Sequence, residues 1–440
     1  MVRKFRESPI QMSGKTFARN SAWMFGGQSI RLAGGLLVGV WVARYLGPAD
    51  YGVLNYAIAF SSLFGILASL GLDAIIVQRL VETTDDEDKI LGTAFGLRLF
   101  GSLAGLLIAV LLSILSGDPT TVSILVAISS GAFTAQALYV IDWRFQAAQE
   151  NRKSVIAQTI GFLIAAIARI YMIQSGAPVV AFAFASLIEA ALVSCALLAL
   201  YLLDRPSSKW RFEGGMAKTL LRKSWPLILS GFAYTAYVRV DAVMVGQMLG
   251  NAEVGIYSAA IRISEAWNFV PLILVTAAFP ALLALRLADP DAYRQQLQSL
   301  MSLLVAICLI VAIVIEIGGD ELIYRLYGPQ YAGAGPILKI SVWNAVFVAL
   351  GFASGRWLIA EDLARYALFR NLIGLMINVL LNLLLIPKLG AKGAAISTLI
   401  AYICANFLSY AFRRDLHPLL TLNARSLLMS GLFKNFRRFE

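Results

Sequence analysis

Apolar residues in this chain neither alternate nor mark a single helical stripe. They come in long runs separated by short charged or Gly/Pro-containing breaks. A helix needs about 20 apolar residues to cross the hydrocarbon of a bilayer. In lipid such a run satisfies its backbone polar groups only as a helix, and a β-barrel would show alternation every second residue. The runs predict twelve spanning helices, at 21–44, 52–77, 90–115, 121–143, 154–174, 178–203, 225–249, 255–284, 296–317, 335–359, 366–386 and 393–412. The longest connectors, 204–224 and 318–334, are too short to hold a soluble domain.

Composition agrees with this pattern. Of 440 residues, 59% are hydrophobic and 14% charged, and the mean hydropathy is +0.74. Soluble domains carry roughly 45–50% apolar and about 25% charged residues. With the N-terminus placed in the cytoplasm, 26 of the 37 basic residues fall in inner segments and 5 in outer ones. The positive-inside rule therefore predicts both termini inside. The net charge of +11 follows from this bias, with basic residues spread over seven inner segments, so no nucleic-acid partner is implied. The first apolar run is too long for a cleaved signal and lacks a small-residue cleavage site, so it is expected to remain as the first helix. Cys195, Cys308 and Cys404 are isolated, and the single histidine, His417, follows the last span. No metal site or cofactor is expected from that inventory. The tail from Leu416 to Phe439 mixes Leu and Phe with Arg425, Lys434, Arg437 and Arg438, which predicts a helix lying in the inner leaflet interface.

The sequence repeats itself. Leu46-Gly47-Pro48-Ala49-Asp50-Tyr51-Gly52-Val53 recurs as Leu249-Gly250-Asn251-Ala252-Glu253-Val254-Gly255-Ile256 at a constant offset of 203. Each copy joins the first and second helices of a six-helix half. A weaker echo links Ala148-Gln149-Glu150 through Gly161 to Ala360-Glu361-Asp362 through Gly374. An even number of helices per half makes the halves run the same way, related by a pseudo-two-fold axis along the membrane normal. Transporters of that design place the substrate between the halves and rock them alternately. The predicted architecture is an all-α polytopic membrane protein of two six-helix lobes, 1–203 and 225–412, with an inter-lobe linker at 204–224 and a cytoplasmic tail at 413–440.

The stretch Arg44-Tyr45-Leu46-Gly47-Pro48-Ala49-Asp50-Tyr51-Gly52 resembles the start of the Wzx-type polysaccharide flippases of the multidrug/oligosaccharidyl-lipid/polysaccharide (MOP) superfamily. The seventh-helix stretch Val240-Asp241-Ala242-Val243-Met244-Val245-Gly246, followed by Val254-Gly255-Ile256-Tyr257-Ser258-Ala259-Ala260, resembles them as well. The resemblance implies a flippase for undecaprenyl-diphosphate-linked oligosaccharides, such as O-antigen or exopolysaccharide units, coupled to an ion gradient in a bacterial plasma membrane. The partners it implies are the lipid-linked glycan, membrane lipids, and a polysaccharide polymerase or chain-length regulator. The exporter branch of the superfamily often carries an acid in its first helix. Here that helix holds only Arg31, which disfavours a small-molecule exporter, the nearest alternative. A polyprenyl-dependent glycosyltransferase or polymerase would need a larger outer loop than 318–334.

Ionisable groups in lipid cost about 2.5–3.5 kcal/mol each on insertion scales, so they should face a cavity or a partner. The basic ones within the spans are Arg31, Arg98, Arg169, Arg239, Arg262 and Arg356, and the acids are Asp73, Glu189, Asp241, Glu265 and Glu316. Guanidinium offers a planar fork to phosphate oxygens. Arg31 and Arg239, near the middle of the first helix of each half and assisted by Arg98 or Arg262, are the candidate diphosphate-binding residues. Asp241, Glu265 and Glu189 are the candidate ion-coupling acids. The bland alternatives are an Arg262–Glu265 ion pair on one helix face and snorkelling to the interface of Arg98, Arg169 and Arg356, and of Asp142 beside Arg144. Gly35/Gly39, Gly92/Gly96, Gly101/Gly105 and Gly351/Gly355 are spaced for close helix contact. Pro271 and Pro280 should bend the eighth span. Gly14-Lys15-Thr16 lacks the rest of a P-loop, and Asp86-Glu87-Asp88 reads as a solvated loop.

Overall fold

The structure, a computed structural model, describes residues 14–83, 86–363 and 365–429. The first lobe contains α1 (Gly14–Ser69), α2 (Asp73–Glu82), α3 (Glu87–Leu115), α4 (Thr120–Ala135), α5 (Val140–Ala147), α6 (Asn151–Gln174) and α7 (Val179–Asp204). The second contains α8 (Gly214–Leu249), α9 (Asn251–Ala266), α10 (Phe269–Ala288), α11 (Pro290–Tyr327), α12 (Ala334–Ser341), α13 (Asn344–Ala360), α14 (Tyr366–Leu389) and α15 (Ala391–Asn406), followed by α16 (His417–Leu427). Among the described residues, 11 helical stretches are long and apolar enough to cross a membrane. The first of them, Gly26–Glu82, is two crossings, because Gly47 leaves the helix at φ 71°, ψ 172°. All the expected spans are therefore present.

The repeat is written into the backbone. Gly47 and Gly250 both sit in the positive-φ region that side chains avoid, at φ 71°, ψ 172° and φ 92°, ψ 171°. Beside them the two copies meet. A Cβ on Gly52 would overlap the Asn251 carbonyl oxygen, and a Cβ on Gly255 would overlap that of Pro48. Pro48 and Asn251 are themselves repeat equivalents, so the contact is self-complementary, as a two-fold axis requires. Tyr331 seals it from the side by donating its hydroxyl to the Ala43 carbonyl at 2.7 Å. The weaker echo is structural too, with its register moved by one. Gln149 and Asp362, not Gln149 and Glu361, share φ 59°. Each is followed by the same closing hydrogen bond, Glu150 N–H to Phe145 O and Leu363 N–H to Leu358 O, both 2.7 Å.

Local chemistry sets several boundaries. Asp289 caps α11, its carboxylate accepting from the N–H groups of Asp291 and Ala292 at 3.0 Å, with Pro290 in the first turn. Pro271 cannot supply the N–H that the Trp267 carbonyl needs, and the eighth span breaks between α9 and α10 at that point. Pro280 remains inside α10.

Three of the four paired-glycine motifs do something other than bring helices together. Gly101 and Gly105 do press α3 onto the α1 carbonyls of Leu67 and Phe64. Gly92 and Gly96 instead admit the linker, facing the Arg211 backbone and the Phe212 ring. Gly39 makes room for the Arg262 guanidinium, with Cζ 2.5 Å from where a Cβ would be, and Gly351 for the Asn406 amide, 2.6 Å away.

Asp86-Glu87-Asp88 is not a free acidic loop. Asp88 accepts from the Ser208 hydroxyl (2.6 Å) and the Lys209 N–H (2.9 Å), which staples the linker to the first lobe. Glu87 pairs with Arg144 (3.4 Å) and Arg205 (3.5 Å). Arg144 also meets Glu150 at 2.9 Å, so it is a buried hub of the ion pairs at this end. The tail helix buries one face against the protein. Leu419, Asn423 and Ser426 of α16 are buried, and Gln298 donates to Ser426 at 2.7 Å. This helix docks on α11 and α13 of the second lobe. The remaining basic residues of the expected interfacial helix, Lys434, Arg437 and Arg438, lie outside the described residues.

Candidate functional site

Helix geometry places Arg31 and Arg239 at different depths. Arg31 lies sixteen residues before Gly47 and Arg239 eleven before Gly250. At 1.5 Å per residue they sit about 24 Å and about 16 Å below the level of the inter-lobe contact. The expected pair is thus staggered, one guanidinium roughly 8 Å deeper than the other. Arg31 donates to Gln28 (2.9 Å) and Thr159 (3.4 Å), both neutral. It has no carboxylate within ion-pair distance among the described residues. Arg239 is half exposed, and its Nη1 stands 3.9 Å from a Glu265 oxygen, a loose contact. Tyr234, Glu265, Tyr402 and Arg370 share its electrostatic environment.

Arg262 is elsewhere. It reaches from α9 into the other lobe and donates to Gly35 O and to the Tyr51 hydroxyl, each at 3.2 Å. The expected Arg262–Glu265 pair is not formed. Glu265 faces Arg239, and Arg262 is an inter-lobe strut beside the Gly52/Gly255 contact. Arg98 is buried 6% exposed in the first lobe, its Cζ 4.8 Å from the Trp143 ring centroid and its Nε without a partner. A buried cation over an indole face, with one N–H unused, is not in a snorkelling geometry. Glu189 pairs with Arg169 at 2.9 Å, with Ser186 3.1 Å from the same nitrogen. That pair neutralises both groups within the first lobe.

Asp241 is the acid the fold treats differently. It is 2% exposed, and no cation pairs with it among the described residues. Its oxygens accept from Asn382 Nδ2 (2.7 Å), Thr398 Oγ1 (2.6 Å) and the Tyr257 hydroxyl (3.1 Å). Asn378 completes the cluster by accepting from Asn382 at 3.0 Å, and the Asn382 Oδ1 is itself buried without a partner. The neutral donors around it offset part of the cost of burying that carboxylate without a cation. Because the surrounding amide and hydroxyl groups also have acceptor lone pairs, they can turn to ligate a small hard cation or shelter a proton.

These features sit in a chain whose relatives are identifiable. The family described as "Polysaccharide biosynthesis protein" matches residues 41–336. The chain belongs to that family. Among curated proteins it is 25% identical over 409 residues to the "Probable flippase AglR" of Haloferax volcanii, covering 89% of this chain and 82% of that one. It is 24% identical over 418 residues to the "Lipid III flippase" of Escherichia coli, covering 88% and 96%. Among solved structures it resembles the lipid II flippase MurJ in an inward closed conformation, with a TM-score of 0.72, 15% identity and coverage of 94% and 92%. An inward-facing multidrug resistance MATE transporter gives a TM-score of 0.70, 16% identity and coverage of 92% and 98%. The fold is that of the MOP superfamily, as the first-helix motif implied.

Sequence reasoning missed the companions of Asp241 in this family member. A signal was present, since Asn378 and Asn382 are spaced i, i+4 in an otherwise apolar helix. It also missed Arg370, counted with the inner loops but placed one turn inside α14.

Proposed function

We propose that the protein is a flippase that carries undecaprenyl-diphosphate-linked oligosaccharide, an O-antigen or exopolysaccharide unit, across the bacterial plasma membrane by alternating access. The observation that carries this reading is the state of Arg31 and Arg239: two guanidinium groups within the spans, one bound only to neutral groups and the other loosely paired and half exposed. Intramembrane cations left in that condition fit an anionic cargo that takes the place of water on them. They sit on α1 and α8, the first helix of each lobe, where a chamber between the lobes would place them. Arg98 offers a further N–H to the diphosphate, and Arg262 holds the lobes closed at the Gly47/Gly250 end. In this reading both termini are cytoplasmic, the lobes are 1–203 and 225–412, 204–224 is the linker, and 413–440 is the tail. A polymerase or chain-length regulator would act on the glycan after release. The same superfamily fold serves multidrug resistance in the MATE transporters, and a cationic lining would disfavour cationic compounds as cargo here.

Asp241 supplies the coupling. Its charge sits in the second lobe with Tyr257, Asn378, Asn382 and Thr398 and receives a proton or a monovalent cation as cargo moves. Glu265, beside Arg239, senses the charge of the cargo more directly, and Glu189 is committed to Arg169.

The test is reconstitution of the full chain with a fluorescent undecaprenyl-diphosphate oligosaccharide, imposing proton and sodium gradients separately. Wild type should flip the lipid, faster under one gradient. Asp241→Asn should lose that acceleration, about ten-fold or more, and keep slow gradient-independent movement. Export of cationic dyes with no lipid movement would replace the flippase reading by the exporter one.

A further inference from the structure

A second cationic chamber lies in the second lobe, and neither Arg31 nor Arg239 lines it. A cavity of about 310 Å³ opens between α10, α13 and α14. Its walls are apolar, with Leu272, Val275, Phe352 and Ile359 among them, and two guanidinium groups, Arg356 and Arg370, complete the lining. Neither has a carboxylate partner among the described residues.

Arg370 is held by one nitrogen. Nη1 donates to the Gly351 carbonyl and the Tyr410 hydroxyl, both at 3.1 Å. Nε is buried and, among the described residues, meets no acceptor, and no bond from them engages Nη2. Nε and Nη2 form the side edge of the fork, with two parallel N–H groups spaced for two oxygens of one phosphate. Gly355 leaves room beside that edge, since a Cβ there would stand 3.8 Å from Nη2. Arg356 rests its Cζ 5.1 Å from the Phe279 ring centroid, which orients a cation without neutralising it.

The two arginines are level with one another. Arg356 is four residues before the end of α13 at Ala360, and Arg370 is four after the start of α14 at Tyr366. Both lie about 6 Å inside the helix ends, next to the 361–365 turn. On the positive-inside assignment that turn is cytoplasmic. This depth suits a phosphate group at the inner leaflet boundary with a hydrocarbon chain beside it, and the apolar walls suit the chain.

We propose that the Arg356–Arg370 chamber binds the phosphate head of a long-chain isoprenoid lipid from the inner leaflet, a docking station ahead of the Arg31 and Arg239 level. The assignment rests on the flippase reading and adds a second, separate contact for its lipid carrier. Free phosphate shares the head chemistry but gains nothing from the apolar walls.

The test is native mass spectrometry of the full-length protein in detergent, titrated with undecaprenyl phosphate. Undecaprenol and inorganic phosphate are added in parallel. Wild type should bind undecaprenyl phosphate and should bind undecaprenol about ten- to a hundred-fold more weakly, the worth of a charge-assisted fork. Arg370→Gln and Arg356→Gln should each weaken binding by about ten-fold or more. Gly355→Leu keeps both charges and fills the room beside the fork, so it should do the same, and it carries the test if an arginine variant fails to fold. Equal binding by wild type, Arg370→Gln and Gly355→Leu would overturn the chamber. Displacement of the lipid by an equal concentration of inorganic phosphate would make it a free-phosphate site and overturn the lipid assignment. Loss of flipping in Arg31 and Arg239 variants, with Arg356 and Arg370 variants binding and flipping as wild type, would remove this inference alone. Absence of any binding by wild type would remove this inference and leave the flippase reading to the reconstitution test.

Discussion

Gly52→Ala is expected to break the contact that closes the lobes at their Gly47/Gly250 end. The new methyl would overlap the Asn251 carbonyl oxygen and come within 2.6 Å of the carbonyl carbon. These atoms belong to the first residue of α9, fixed by the glycine turn before it, so no flexible side chain can yield. Overpacking typically costs about 1–3 kcal/mol, and a backbone neighbour puts this site at the upper end. A cost of about 3 kcal/mol lowers the closed population by roughly a hundred-fold. Spin labels at Asp50→Cys and Glu253→Cys, in a background with Cys195, Cys308 and Cys404 replaced by serine, would read the separation. The parent should give one short distance and the variant a longer, broader distribution. Gly318→Ala, with nothing within 4 Å of the added methyl, should leave the distance unchanged. A short, narrow distribution in Gly52→Ala would show that the two copies of the repeat do not meet here.

Removing the charges of Arg31 and Arg239 together is expected to stop flipping. Each charge-assisted hydrogen bond to phosphate is worth about 1.5–3 kcal/mol, so each single Gln variant should slow transport by about ten- to a hundred-fold if the contact is made at the rate-limiting point. The stagger between them means that a diphosphate can engage one before the other, and the double variant should lose more than either single one. Arg239→Gln also strands Glu265, so Arg239→Gln with Glu265→Gln is the informative companion. Recovery of flipping in that pair would mean that Arg239 serves only to neutralise Glu265. Continued loss means that it serves the cargo. Expression and thermal unfolding of Arg31→Gln, and of Arg239→Gln with Glu265→Gln, should match wild type, because neither arginine is tied into the core.

The spans and the repeat were legible because each is set by residues near one another in sequence. An apolar run needs no partner to announce a crossing, and glycine at positions 47 and 250 is required by the backbone itself. The match at offset 203 even named the surfaces that touch, although it could not say that they touch each other. The partners of charged side chains were not legible. Arg262 is three residues from Glu265 yet bonds Tyr51 and Gly35, more than 200 residues away. Glu189 finds Arg169 on a neighbouring helix. Long side chains reach across helices, and rotation about each helix axis decides which acid they meet. Glycine spacing was ambiguous for a related reason. It marks where a backbone is bare, and the occupant at Gly39, Gly92 and Gly351 turned out to be a guanidinium, a linker and an amide.

The central claim is that the cargo is recognised by its negative head, and the most direct measurement changes the head and leaves the sugar alone. Proteoliposomes would carry the same fluorescent oligosaccharide on undecaprenyl diphosphate or on a neutral glycerolipid, with accessible sugar quenched from outside over time. The account predicts rapid transfer of the diphosphate form and background transfer of the neutral one. Equal rates for both would contradict it.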